Sequence, residues 1–248
     1  MPFIYGFKPV LEALEAGQSI DKIYLQSGRR NALIGKVYKL AKAQKIQVVN
    51  ADQKKMRAIA GNVKHRGIAA FASNINYISL EDLIEKIQKK GEHPNLILLD
   101  KIQDPHNFGA IIRSAEVLGA HGILFSLRES VPVTEVVIKA SAGAVFNIHM
   151  CKIDNMAQAI DYLRNCGLWI YSSSSHADEK ELWEMDFLRP QAIIIGSEGK
   201  GVRPLLLKKS DEIFRIPQVG KTESLNASVS AGIILAEVLR QRRMKNST

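Results

Sequence analysis

Residues 193–204 read IIIGSEGKGVRP, a buried strand running into a glycine-rich loop with Glu198 at its centre. Loops of this composition often cradle phosphate, but the phosphate templates fail here. Gly196 and Gly201 have the separation of a P-loop, yet Val202 stands where that loop requires lysine. The dinucleotide fingerprint fails because Pro204 follows Gly199-Lys200-Gly201, and because the loop comes late in the chain, whereas that fingerprint follows the first strand. The hydrolase elbow GxSxG is absent. A carboxylate in the loop would oppose a phosphate by roughly 1–4 kcal/mol at contact, depending on exposure.

A ligand with a cationic centre reverses that sign. S-adenosylmethionine carries a sulfonium and an ammonium, has an adenine that backbone groups can bind, and has no phosphate. Gly196 closes one strand and the segment RIPQVG (215–220) closes another. Neighbouring strand ends of an open parallel sheet enclose ligands in this way. Taken alone, the loop favours a surface acid at Glu198.

The elements that would position this loop follow from hydrophobic periodicity. Apolar runs at 95–100, 122–126, 145–150, 168–172, 192–197 and 212–217 read as strands. Helical patterns at 107–118, 133–141, 154–165 and 224–243 separate them. Doubly apolar strands alternating with helices predict an α/β fold with a parallel sheet covered on both faces. A smaller α/β module precedes it: strand 20–26, helix 33–44, strand 46–50, a helix near 52–60 and strand 67–73, with 74–80 as linker. The predicted domains are 1–76 and 77–248. The run SSSSH (172–176) reads as a flexible loop after its strand, with pocket lining as the other reading.

In helix 107–118 the core stripe is Phe108, Ile111, Ile112, Ala115 and Leu118, so Arg113 projects opposite to it. Asn107 at its start reads as an N-cap, and so does Ser224 before the last helix. That last helix is apolar on two faces, one through Leu225, Val229, Ile233 and Ala236 and one through Ala227, Ala231, Ile234 and Val238. Such a helix packs between two surfaces, of one chain or of two.

Charge separates the two parts of the chain. Of the net +9, residues 1–78 hold all the excess, with 13 Lys/Arg against 4 acids, while residues 79–248 balance at 21 each. A basic patch of this kind favours polyanions through counterion release. No apolar run approaches the roughly 18 residues of a membrane span. The start, MPFIYGFKPVLEALEAG, lacks a signal-peptide pattern. Cys151 and Cys166 form no CxxC motif, which points to reduced thiols and a cytoplasmic location. The six histidines show no metal-ligand spacing, so no metal is expected.

Three segments, LDKIQDPHNFGAIIRSAEVLGAHGIL (99–124), IIIGSEGKGVRP and RIPQVGKTESLNASVSAGIILAEVLRQR (215–242), together resemble the three motifs of the SpoU (TrmH) family of RNA ribose 2′-O-methyltransferases. YGFKPVLEAL and VKHRGIAAFA resemble the basic extension of the subgroup that methylates a guanosine of 23S ribosomal RNA, an extension similar to ribosomal protein L30e. The resemblance implies a trefoil-knotted SPOUT-type catalytic domain, S-adenosylmethionine as cofactor, a homodimer with active sites near the subunit interface, and RNA as partner. It implies catalytic roles for Asn107, Arg113, Glu198, Ser224 and Asn226, and cofactor contacts for Gly196, Ser197, Ile216 and Leu225. Lys64 and Arg66 would bind RNA, although Arg66 stands where relatives usually carry Gln. Thr222 and Glu223 replace small residues before the Ser-Leu-Asn turn. A tRNA methyltransferase of the same fold and a non-catalytic RNA-binding assembly factor remain open as other readings.

Overall fold

A computed structural model describes residues 3–245 apart from 18, 29, 30, 62, 73, 74, 127, 129, 175–179, 222 and 223. Thr222, Glu223, Ser175 and His176 therefore lie outside the described residues. Two compact units emerge, Met1–Asn76 with Pro132–Thr134, and Tyr77–Val131 with Glu135–Thr248.

The first unit runs β1 (Phe3–Tyr5), α1 (Phe7–Glu15), β2 (Ile20–Gln26), α2 (Ile34–Ala43), β3 (Gln47–Ala51), α3 (Gln53–Ala60) and β4 (Ile68–Ala72). Its sheet order is β1-β4-β2-β3; β2 and β3 are parallel, and β4 runs antiparallel to β1 and β2. Helix α1 has no counterpart among the predicted elements. It forms because Phe7, Val10, Leu11 and Leu14 recur at helical spacing and are all buried. They pack with Ile23, Leu25, Val37 and Ala41 into one core. Asp52 caps α3 by accepting the Lys55 N–H at 2.7 Å.

The second unit contains α4 (Leu80–Lys89), β5 (Asn95–Asp100), α5 (Pro105–Val117), β6 (Gly122–Phe125), α6 (Glu135–Ala140), β7 (His149–Lys152), α7 (Met156–Asn165), β8 (Trp169–Ser174), β9 (Lys180–Glu181), β10 (Gln191–Gly196), α8 (Pro204–Leu207), β11 (Glu212–Arg215) and α9 (Ala227–Lys245). Its seven strands pair in parallel in the order β7-β6-β5-β10-β8-β11-β9. The chain leaves β5 toward β6 and β7, then crosses to β8, and β10 later fills the gap between β5 and β8. This crossover is the topological switch point, where open sheets bind ligands.

Alternating side chains cover the two faces. Leu96, Leu98 and Ile194 pack with α4 and α7 through Leu83, Ile84, Ile160 and Leu163. On the α5 side, Phe108 meets Phe125 at 5.0 Å between ring centres. Gly109 lets α6 approach α5, because a Cβ there would lie 2.5 Å from that of Ala140.

Several expected boundaries move. Helix α4 begins inside the supposed linker, because Ser79 caps it by accepting the Asp82 N–H at 3.1 Å. The strand expected at 145–150 is instead a short 3-10 turn, Ala144–Phe146, followed by β7. Gly143, at φ 83, turns the chain there, and only 149–152 can reach β6. Helix α5 begins at Pro105, two residues early, because Asp104 accepts the His106 N–H at 3.0 Å and proline suits the first turn. Asn107 is thus not a cap. Helix α9 starts at Ala227, where Asn226 Oδ1 accepts the N–H of Ser228 at 2.9 Å, so Ser224 is not its cap either. Of the two apolar faces on α9, the one through Ala227, Ala231, Ile234 and Val238 is buried, while Val229 and Ala236 on the other are exposed. The run 172–174, expected in a flexible loop, completes β8 by pairing with β11.

At the opposite end of the sheet, His121 Nδ1 accepts the Asn95 N–H at 3.0 Å and its Nε2 lies 3.1 Å from Glu92. The neutral ring therefore carries its proton on Nε2. Burial pushes its pKa below the ordinary histidine value, against a smaller opposing pull from Glu92. The stability this supplies is complete above about pH 6.5 and is lost as the pH falls through the lowered value. The urea midpoint, followed by circular dichroism, is expected to fall more steeply on acidification in the wild type than in His121→Gln; identical slopes would refute the assignment.

Candidate active site

Three segments converge at the carboxyl ends of the central strands: the first turn of α5, the loop after β10, and the turn before α9. The loop is shaped by its glycines. Gly199 and Gly201 have φ of 79 and 62, values that favour glycine. The Gly201 N–H returns to the Ser197 carbonyl at 2.9 Å. A Cβ on Gly196 would lie 2.1 Å from the Gly201 carbonyl carbon and 2.2 Å from the Val202 nitrogen. Gly196 serves close backbone packing within the loop, while Gly199 and Gly201 serve its left-handed turns.

Glu198 projects from this turn. Its Oε1 accepts from Asn107 Nδ2 at 2.5 Å and from Asn226 Nδ2 at 2.6 Å. Asn226 Nδ2 also donates to Asn107 Oδ1 at 3.0 Å, which closes a triangle. Asn226 Oδ1 meanwhile accepts from Ser228 N and Oγ, so the residue that caps α9 also orients the carboxylate. Asn107 is 8% exposed, its amide taken up by this network. Both donors are neutral, so they orient the charge of Glu198 without cancelling it.

The loop is tied down behind Glu198. Asp100, 1% exposed at the end of β5, accepts from the Arg203 backbone N–H at 2.9 Å and from its Nε at 2.7 Å. A buried carboxylate with a charge-assisted, multiply bonded partner is costly to disrupt.

Two cavities flank Glu198. One, of about 230 Å³, is lined by Gly196, Ser197, Ile216, Ser224 and Leu225 together with Ser173, Gln218 and Ser230. The other, of about 590 Å³, is lined by Lys101, Gln103, Asp104, Asn107, Ser197, Glu198 and Lys200. Of the residues singled out in the sequence, Asn107, Glu198 and Asn226 meet directly, and Gly196, Ser197, Ile216, Ser224 and Leu225 line the first cavity. Arg113 is exposed on α5 and lines neither cavity. Lys64 and Arg66 are exposed in the first unit, where Arg66 adopts φ 51. Sequence reasoning missed the Asp100–Arg203 tether, which joins positions 103 apart with no local pattern. It also missed Gln218, Ser230, Lys101 and Lys200; the serine run was the one available signal, for Ser173.

The arrangement suits a ligand with apolar and hydrogen-bonding parts and a positive centre. Ile216 and Leu225 offer apolar contact, serine hydroxyls and loop backbone offer polar contact, and Glu198 offers a fixed negative charge. An anion at the same place would meet that carboxylate.

Comparison with known proteins agrees with this geometry. A model of the SpoU rRNA Methylase family matches residues 94–236, and one for RNA 2′-O ribose methyltransferase substrate binding matches residues 3–78. The chain is similar to YacO of Bacillus subtilis (strain 168), a protein assigned to the TrmH family of tRNA/rRNA methyltransferases, with 35% identity over 240 residues, 97% of this chain and 96% of that one. It resembles the AdoMet-bound rRNA methyltransferase from Sinorhizobium meliloti (25% identity, 96% of this chain and 86% of that one, TM-score 0.58). It shares the fold of the SpoU methyltransferase AviRb from Streptomyces viridochromogenes, solved in complex with AdoMet (21% identity, 98% and 90%, TM-score 0.62).

Gly196→Ala is expected to destabilise the protein by about 1–3 kcal/mol, an overpacking cost, since the atoms it would meet belong to the backbone. Thermal melts check this, with Ser197→Ala as the mild control. A melting temperature unchanged in Gly196→Ala would show that the loop is not packed as described.

Proposed function

This chain belongs to the SpoU rRNA methylase family, and we propose that it transfers a methyl group from S-adenosylmethionine to the ribose 2′-hydroxyl of a guanosine in 23S ribosomal RNA. The observation that carries this reading is the Glu198–Asn107–Asn226 triangle set between two cavities on a glycine loop that is unsuited to phosphate.

The first cavity fits the donor: Ile216 and Leu225 supply apolar walls, Ser224 a hydroxyl, and Gly196 and Ser197 backbone groups, while Glu198 balances a nearby positive charge. S-adenosylmethionine, when bound, supplies an electrophilic methyl group. Among the described residues no contact uses Glu198 Oε2, and this oxygen accepts a hydrogen bond from a ribose hydroxyl in the second cavity and takes up its proton as the methyl group passes from sulfur to oxygen. Asn107 and Asn226 hold the carboxylate so that this oxygen keeps its aim. Holding the acceptor oxygen and the methyl group in line supplies much of the acceleration.

Arg113 acts from a second copy of the chain. It is exposed, and exposed apolar groups lie on its own helix and on α9: Val117 on α5 at 67% and Val229 on α9 at 49%. A homodimer through this α5–α9 face covers them and brings the guanidinium to the acceptor. A guanidinium holds its proton too tightly to act as a base, so its role is to polarise the 2′-hydroxyl by hydrogen bonding. The first unit, with its lysine excess and with Lys64 and Arg66 exposed, grips the RNA by phosphates. Cytoplasmic action follows from the RNA substrate and the two free thiols; among the described residues no helix is long and apolar enough to cross a membrane.

Tritiated methyl transfer to RNA from a strain lacking the protein, with mapping of the modified nucleotide, tests this reading. The expected product is one 2′-O-methylguanosine in 23S RNA; a site in tRNA would redirect the substrate assignment, and no transfer at all would leave an RNA-binding factor. Arg113→Ala is expected to lower kcat by about 10²–10³, the size of a lost transition-state hydrogen bond. Its affinity for S-adenosylmethionine, read by calorimetry, stays within about twofold because Arg113 lies outside the donor cavity, a change under 0.5 kcal/mol. Full turnover in this variant would remove Arg113 from the mechanism.

A further inference from the structure

The 590 Å³ cavity contains two lysines that the reaction as described does not use. Lys101 follows the last residue of β5 with φ 60, a left-handed conformation that glycine adopts freely and other residues disfavour. The chain thus carries a long cationic side chain where the backbone favours none. Lys200 is exposed and sits between Gly199 and Gly201, the two left-handed glycines of the loop. Among the described residues it has no ion-pair partner.

The same cavity holds two carboxylates, and both are engaged. Asp104 accepts the His106 N–H as the cap of α5, and Glu198 Oε1 accepts the two amides. A polyphosphate would face both acids, and a cationic ligand would face both lysines. A nucleotide within an RNA strand satisfies the mixture, because its phosphodiester is anionic and its ribose hydroxyls are neutral donors.

We propose that Lys101 and Lys200 clamp the phosphodiester flanking the acceptor ribose, so that the 590 Å³ cavity seats one nucleotide of a single-stranded RNA segment with its sugar toward Glu198 and Asn107. They are positioning residues: ammonium groups act as point charges on the backbone and carry no base preference. Lys200 reaches the clamp from the same loop that bears Glu198, which couples seating of the strand to placement of the carboxylate.

The proposal rests on the methyltransferase reading above, and its test separates the two. Methyl transfer to RNA is measured for the wild type, Lys101→Gly, Lys200→Ala and the double variant across roughly 50–200 mM salt. Each single variant is expected to raise KM for RNA about tenfold, with kcat and S-adenosylmethionine affinity held within about twofold, as for loss of one charge-assisted contact. The dependence of log KM on log salt becomes shallower by about 1 for each lysine removed. Lys101→Gly relieves the left-handed backbone, so its melting temperature holds or rises, which separates lost charge from lost fold. Lys200→Arg, which keeps the charge, restores the salt slope. Unchanged KM and slope in an active enzyme would overturn the clamp. So would weaker S-adenosylmethionine binding with KM for RNA unchanged, which would assign the lysines to the donor's carboxylate instead. A wild type that methylates no RNA would sink the methyltransferase reading, and the clamp with it.

Discussion

One carboxylate oxygen joins three stretches of the chain. Glu198 Oε1 takes hydrogen bonds from Asn107, 91 residues earlier, and from Asn226, 28 residues later. Glu198 and Asn226 are exposed, so these bonds orient the three segments' polar ends more than they hold the segments together. The same two bonds set what the loop presents. Neutral amides orient the carboxylate and leave its charge in place, so a glycine loop that might otherwise attract anions presents a negative group.

The rest of the site keeps that carboxylate where it is. Gly196 lets the loop fold back on its own backbone, and Arg203 anchors the loop's far end to the buried Asp100 of β5. Both anchors stand on strands β5 and β10, which are paired in register from Asn95 with Gln191 to Asp100 with Gly196. The strands are buried on both faces, so their ends move little, and the polar groups at those ends inherit that rigidity. Placing β10 between β5 and β8 brings motifs from distant parts of the chain to a single edge.

The chain divides its electrostatics accordingly. The first unit carries the surplus of lysine and arginine, which favours a polyanion without regard to sequence. The second is balanced in charge, and its few site residues are placed by hydrogen bonds to specific atoms. Helix α9 has one face committed to the core and one open through Val229. It begins at the Glu198–Asn107–Asn226 triangle, so whatever covers its open face also bears on the site.

Much of the fold was legible because its cause is local or compositional. The runs NLILLD and AIIIG are short and apolar on both faces, the pattern of a strand in a covered parallel sheet. The stripe from Phe108 to Ala115 can only be a helix facing a core. The residues of the triangle were legible as candidates through the motifs that contain them, and the failure of the phosphate templates around Glu198 already pointed to a cationic ligand. Capping was not legible: Asp104, Asn107, Ser224 and Asn226 are all competent caps by type, and the choice among them was made by partners far away in sequence. Asn107 is drawn into the site by Glu198, which leaves Asp104 to start α5. Asn226 has an oxygen for the helix and a nitrogen for the carboxylate, which leaves Ser224 to line the 230 Å³ cavity. The bond between Asp100 and Arg203, and the presence of Lys101 and Lys200 around one cavity, depend on β10 entering the sheet beside β5. Sequence determined which segments bury themselves and which carry charge, because burial and charge are properties of the residues. Tertiary structure decided which polar atoms pair, because a hydrogen bond requires a partner within about 3 Å, and only the folded chain brings those partners together.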